Sequence, residues 1–325
     1  MNRLLSALLA AGLLTTSMSM SMSMSVAVAQ DAETAVEAPA ENAAAPEAQP
    51  ADGAAEAEAE HEAAAEEGHS ETPHYPLRKP EEMNWSFAGP FGRYDLGQLQ
   101  RGLKVHREVC ASCHSMNLVA MRTLTDLGYS EAQVKAFAAE YQVQDGPDDS
   151  GEMFERAGLP ADHFPAPFPN PEAAAAANGG AHPPDFSLLA KARAVERGFP
   201  TFVFDIFTQY AEGGPDYIHA LLTGYDEEAP ADLDIQPGTY YNPYFISGPA
   251  LAMPPPLSDG LIEYPDGAPE TVDQYSRDVT AFMMWAAEPH LVERKATGLV
   301  VMVFLIVFAA MLFLVKRRVW AGTPH

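Results

Sequence analysis

The sequence predicts a mainly α-helical fold with long loops, ending in one C-terminal transmembrane helix. Three observations predict it. Residues 296–315 form an uncharged run of 20, followed at once by Lys316, Arg317 and Arg318. Several earlier segments place apolar residues at alternating steps of three and four, the period of an amphipathic helix. Between them lie stretches rich in Pro, Gly and Asp, which read as loops.

The elements follow in chain order. Residues 1–29 read as a secretory signal peptide: Arg3 supplies the charged start, residues 4–14 the apolar core, and Ala27-Val-Ala29 a small-residue cleavage site before Gln30. Residues 30–72 form an acidic extension rich in Ala, Glu and Pro. Positions 31–72 hold 13 acidic residues and no Lys or Arg, half of the formal net charge of −26. With no apolar face to bury, disorder is expected there. Residues 73–290 then carry the folded domain.

Within that domain Leu99, Leu103, His106, Cys110 and Cys113 share one stripe, which predicts a helix over 95–113. Ser130 with Gln133, and Thr271 with Gln274, match the capping-box pattern. Residues 143–172 read as a long surface loop. Pro183-Pro184-Asp185 opens a helix ending near Gly198. The aromatic stretch 199–211 fits strand, helix or docking patch equally, and residues 216–224 read as a short helix. Val272, Tyr275, Val279, Phe282 and Ala286 define a buried helix face that Pro289 terminates. The run 296–315 is long enough to span a bilayer. The basic cluster after it marks 316–325 as a cytoplasmic tail, with the body on the outer, periplasmic side of a bacterial plasma membrane.

The chemistry lies in Cys110-Ala-Ser-Cys113-His114, which contains the only 2 cysteines of the 325 residues. Two thiols three apart with a histidine following is the attachment pattern of a c-type haem. Positions i, i+3 and i+4 share a helix face, so both thiols and the imidazole address one macrocycle. A structural zinc site takes four ligands and often a second cysteine pair, and a thioredoxin-like pair wants an α/β pattern around it; neither is visible. The fold class is therefore a c-type cytochrome domain with one haem c held through Cys110 and Cys113 and His114 as an iron ligand.

Whether the iron has a second protein ligand separates electron transfer from ligand binding. Met283 and Met284 fall in a helix, where packing is the expected job. Met116 and Met121 lie too near the motif to reach round the ring. Met253 sits in a stiff loop, Gly248-Pro-Ala-Leu-Ala-Met-Pro-Pro-Pro256, and its soft thioether suits a high-potential haem; a filler role in a Pro-rich turn competes. His106 lies on the same stripe and reads as a packing residue. No glycine loop, nucleophile triad or nucleic-acid-binding patch stands out.

Several separated motifs resemble the cytochrome c1 family of the cytochrome bc1 complex, bacterial branch. They are Trp-Ser-Phe-Ala-Gly at 85–89, Gln-Arg-Gly-Leu at 100–103, the haem motif with Ser115 and Met116, Pro-Pro-Asp-Phe-Ser at 183–187, Leu-Thr-Gly-Tyr at 222–225, Tyr-Asn-Pro-Tyr-Phe at 241–245, Ala-Met-Pro-Pro-Pro at 252–256 and Trp-Ala-Ala-Glu-Pro-His at 285–290. The likeness covers about 85–322. It implies Met253 as the distal iron ligand, Arg193 as partner of a haem propionate, and Tyr217 and Pro184 as haem-pocket positions. It also implies a relay of single electrons from a Rieske iron–sulfur protein to a c-type cytochrome, beside cytochrome b, in a dimeric complex embedded in membrane lipid. His106 departs from the family's usual aromatic, and 199–211 is an insertion relative to mitochondrial members. A free membrane-tethered electron shuttle and an open-site haem sensor or peroxidase share the attachment motif.

Overall fold

A computed structural model describes residues 77–194, 201–208, 210–231 and 233–322. The signal peptide and acidic extension lie outside the described residues, as does the expected helix end near Gly198. The described chain is mainly helical, as its periodicity predicts.

Helix α1, Leu96–Glu108, starts where the Asp95 side chain accepts from the Gln98 N–H. It buries Leu99, Leu103 and His106. It stops before the cysteines, which occupy a separate 3-10 turn, Cys110–Ser112. A second 3-10 segment, Met121–Leu127, leads to α2, Glu131–Ala138. The Ser130–Gln133 capping box at the α2 start is complete. The expected long loop contains a hairpin instead, β1 Gln142–Asp145 antiparallel to β2 Phe154–Ala157, and then α3, Pro171–Ala177. Arg156 bridges Asp145 and Asp162 across that hairpin.

The helix expected after Pro183 shrinks to α4, Leu189–Ala192. The aromatic stretch forms α5, Thr201–Thr208. Helix α6 is Gly213–Thr223; β3, Tyr240–Tyr241, pairs antiparallel with β4, Ala250–Leu251. Helix α7, Val272–Ala287, starts at a Thr271 cap, yet the Gln274 side chain turns away to Asp278 Oδ1 at 2.8 Å.

The core lies where α1 crosses α7, with α6 and α4 against α7. Leu99, Tyr275, Val279 and Phe282 are fully buried there. Gly102 makes the crossing close: a Cβ on it would stand 2.1 Å from the Asp278 carbonyl oxygen. Arg101 reaches over the crossing to the buried Asp278 carboxylate (2.8 and 3.3 Å) and to Asp266 (2.7 Å). Gly214 plays the same part between α6 and α4, where a Cβ would lie 1.7 Å from the Ala190 oxygen.

Helix α8, Leu291–Val319, has 29 residues and spans about 44 Å at 1.5 Å per residue. Leu291 is buried in the body, while the apolar residues from Leu299 to Val315 are exposed all round. Such a helix meets lipid, not a protein core. Glu288, between α7 and α8, holds both Lys191 and Arg294 and so braces the joint.

Candidate haem-attachment site

The thiol turn is a single winding of backbone. The N–H groups of Cys113 and His114 both donate to the Cys110 carbonyl, at 3.1 and 2.9 Å. The three side chains of the motif therefore project from one turn, although not from α1. Both cysteines are unbridged and half-buried. Desolvation, reinforced by the neighbouring Cys113 sulfur, pushes the Cys110 thiol up to about 12. A reactive redox pair needs the opposite shift, so the thioredoxin-like reading loses ground.

His114 is oriented by its other nitrogen. Nδ1 lies 2.9 Å from the Pro184 carbonyl oxygen. A carbonyl only accepts, so Nδ1 carries the proton and Nε2 keeps its lone pair. Metal-bound histidines are held this way, their second nitrogen donating to a carbonyl or carboxylate. Burial lowers the His114 pKa, against the opposing pull of the Pro184 carbonyl and Asp185, which favours the neutral ring a metal requires. Phe186 stacks on the ring with centroids 4.1 Å apart.

Segment 184–187 clamps segment 114–118. Asp185 Oδ2 accepts from Ser115 Oγ and the Asn117 N–H, both at 2.8 Å, and Oδ1 from the Ser187 N–H at 2.8 Å. Ser187 Oγ accepts from the Leu118 N–H at 3.0 Å, and the Phe186 N–H donates to the Ser115 oxygen at 2.8 Å. Burial raises the Asp185 pKa, but the N–H and hydroxyl donors outweigh it and the net shift is downward. Asp185, Phe186 and Ser187, which hold the His114 segment, were not among the predicted site residues, although their motif was read as a helix opener and as part of the family resemblance.

A second group of predicted residues gathers around α6. Met253 is half-buried, two residues after β4, with Pro254 and Pro255 exposed beyond it. Tyr225 Oη donates to the Met253 carbonyl at 3.0 Å. Asn242 ties the same loop down: its N–H donates to the Pro249 oxygen (3.0 Å) and its amide to the Leu221 oxygen (2.8 Å). Tyr217 is buried and its hydroxyl accepts from the Ile246 N–H at 3.5 Å. Arg193 ends α4, half-buried, close enough for its charge to bear on Tyr217. The contacts thus join Pro184 to His114 and Met253 to Tyr225, the Arg193 charge bears on Tyr217, and the α4–α6 contact at Gly214 ties the two helices that carry Arg193 and Tyr217.

His106 is buried among the rings of Phe164, Phe186 and Phe282, with centroids 6.0, 6.0 and 5.6 Å away. Desolvation, with a contribution from His114, lowers its pKa to about 4, so it packs as a neutral ring. Met116, Met121, Met283 and Met284 are all fully buried core residues, in keeping with the packing role expected for the last two.

The residues present fit a covalently held haem. Two unbridged thiols stand on one turn, beside an imidazole whose sole free ligating atom is Nε2. A helical domain with that turn, on a membrane-spanning helix, defines a class: a membrane-anchored cytochrome. The family model described as the Cytochrome C1 family matches residues 85–323, and the chain belongs to that family. It is 58% identical over 248 residues to "Cytochrome b/c1" of Bradyrhizobium diazoefficiens, covering 75% of this chain but only 36% of that longer protein. It is 48% identical over 259 residues to "Cytochrome c1" of Rhodospirillum rubrum (75% of this chain, 88% of the relative). It is 47% identical over 228 residues to "Cytochrome c1-2, heme protein, mitochondrial" of Solanum tuberosum (70% and 77%).

Proposed function

We propose that this chain is the haem subunit of a bacterial quinol–cytochrome c oxidoreductase, the bc1 complex, and relays single electrons from a Rieske iron–sulfur protein to a c-type cytochrome on the periplasmic face. The observation that carries this reading is the tether of His114 Nδ1 to the Pro184 carbonyl, which reserves Nε2 for a metal.

When bound, a haem supplies a reversible one-electron couple at its iron. The chain's own residues hold and shape that couple. Cys110 and Cys113 would hold the macrocycle covalently, and His114 Nε2 would ligate its iron. Met253, on a loop that Tyr225 and Asn242 hold down, would supply a second ligand to the iron. A thioether ligand raises the potential, and two protein ligands favour electron transfer over bond chemistry. Arg193 would pair with a propionate through charge-assisted bonds. Tyr217 and Pro184 would line the pocket around it.

The name of the Bradyrhizobium relative joins b and c1, which supports cytochrome b as a partner. Acidic loop residues read from the sequence, Asp148, Asp149, Asp226, Glu227 and Glu228, would steer a basic cytochrome; among them Asp148 is engaged with its own turn and Glu227 with Arg78. Asp149 and Glu228 are exposed and are the better candidates. Their pull is screened beyond about 8 Å at physiological salt.

A redox-difference spectrum of material purified in mild detergent tests the assignment. Co-purifying c-type and b-type signals are expected; a c-type signal alone favours a free shuttle. Met253→Leu is expected to keep covalent haem and lower its potential. An unchanged potential removes Met253 from the iron, and fast carbon monoxide binding to the unaltered reduced protein points to an open site.

A further inference from the structure

The large hydrophobic side chain most exposed among the described residues is not on the membrane helix. It is Phe91, 74% exposed, at the tip of a tight turn in the body. The turn is rigid. The Gly92 N–H donates to the Gly89 oxygen (3.4 Å) and the Arg93 N–H to the Ser86 oxygen (2.9 Å). Gly89 has φ +65°, and a Cβ on Gly92 would lie 2.1 Å from the Ala88 oxygen, so both positions need glycine.

One root of the turn is fastened to the start of α8 and the other to the end of α7. Phe87, fully buried and stacked on Trp85, offers its carbonyl to Lys295 Nζ at 2.6 Å. Tyr94 Oη donates to the Met284 and Glu288 oxygens at 3.2 and 3.0 Å. Lys295 is the last charge before the apolar run 296–315. Four residues of chain reach about 14 Å at most, which limits how far Phe91 can stand from the Phe87–Lys295 bond at the root of the apolar run.

We propose that the turn 89–92 is a second membrane contact, which sets Phe91 into the headgroup layer of the leaflet that α8 enters, with Arg93 and Lys295 beside the lipid phosphates. Trp and Tyr are enriched at that depth, and interfacial segments bury Phe, Trp or Leu there beside Lys and Arg. A stable protein interface buries about 800 Å² per partner, whereas one phenylalanine offers roughly 150–250 Å². That area suits a headgroup-level foothold next to an existing anchor. Two contact points fix the height and lean of the folded body, which one helix cannot do.

The test uses the full-length, haem-loaded chain in phosphatidylcholine–phosphatidylglycerol vesicles. A nitroxide is attached at Phe91→Cys and, for comparison, at Met153→Cys, which is 54% exposed in the hairpin loop. The unsubstituted chain serves as the labelling control, and an unchanged Soret band reports folding. Collisions with membrane-dissolved oxygen relative to an aqueous nickel chelate are expected to be several-fold more frequent at 91 than at 153. Equal ratios at the two sites overturn the proposal. So does a label at 91 shielded from both reagents, which would indicate cover by protein.

Discussion

Replacing Gly102 by Ala tests how α1 and α7 are held. In an ordinary helix interior this change stabilises by about 1 kcal/mol. Here the added Cβ would lie 2.1 Å from the Asp278 oxygen and 2.6 Å from the Phe282 Cβ. A carbon needs roughly 3.3 Å from a carbonyl oxygen, so the helices must part by about 1 Å, and a carbonyl cannot swing aside as a side chain does. Overpacking costs typically 1–3 kcal/mol, and a backbone obstacle belongs at the upper end. The net effect is a loss of about 2 kcal/mol, or ~4–8 °C in melting temperature for a domain of this size. Gly97→Ala in the same helix is the control. Its Cβ meets only side-chain atoms, at 3.3 Å and beyond, so no loss is expected. Thermal melts by circular dichroism in detergent measure both. A Gly102→Ala protein melting at or above the unsubstituted one would refute the close-approach argument.

Arg101→Met strands the fully buried Asp278 without its counter-ion, and denaturant melts are expected to show a loss of about 3–5 kcal/mol. Adding Asp278→Leu should recover most of it. Arg156, with the Leu159 N–H, holds the Asp162 carboxyl down at about 2. Its folded pKa lies below the unfolded value near 3.9, so its contribution is full above about pH 4 and fades as pH falls toward 2. Asp162→Asn should flatten the fall of melting temperature across that window. Tyr225→Phe removes the bond to the Met253 carbonyl, worth about 1 kcal/mol. The haem potential is expected to move toward that of Met253→Leu, read by redox titration; if Met253→Leu shifts the potential and Tyr225→Phe does not, the loop holds without its strap.

Helices α7 and α8 were legible because each carries one strong local signal, a 3-4-3-4 apolar face or an uncharged run with a basic end. The end of α1 was not. The stripe from Leu99 to Cys113 stays in phase across the break at Val109, so periodicity cannot see the chain tighten there. The β1–β2 hairpin was invisible for the opposite reason. Its strands are short and polar, with no alternation to read, and Arg156 binds Asp145 and Asp162 around it. Gln274 matched a capping box, yet Asp278 one turn on captured its amide. At the candidate site the expected attachment residues are local in sequence, so their spacing alone singles them out. The Asp185 clamp spans some 70 residues and shows only when the two segments meet.

The bond that aims His114 ends on a main-chain oxygen at Pro184. Every amino acid carries that oxygen, so no single codon change can delete it. Mutation can only move it, by releasing Asp185 or Ser187 or by freeing the backbone that the proline ring stiffens. Genetic vulnerability is thereby displaced from the atom that orients the imidazole to the residues that carry it. A scan of substitutions should find position 184 more forgiving than position 185.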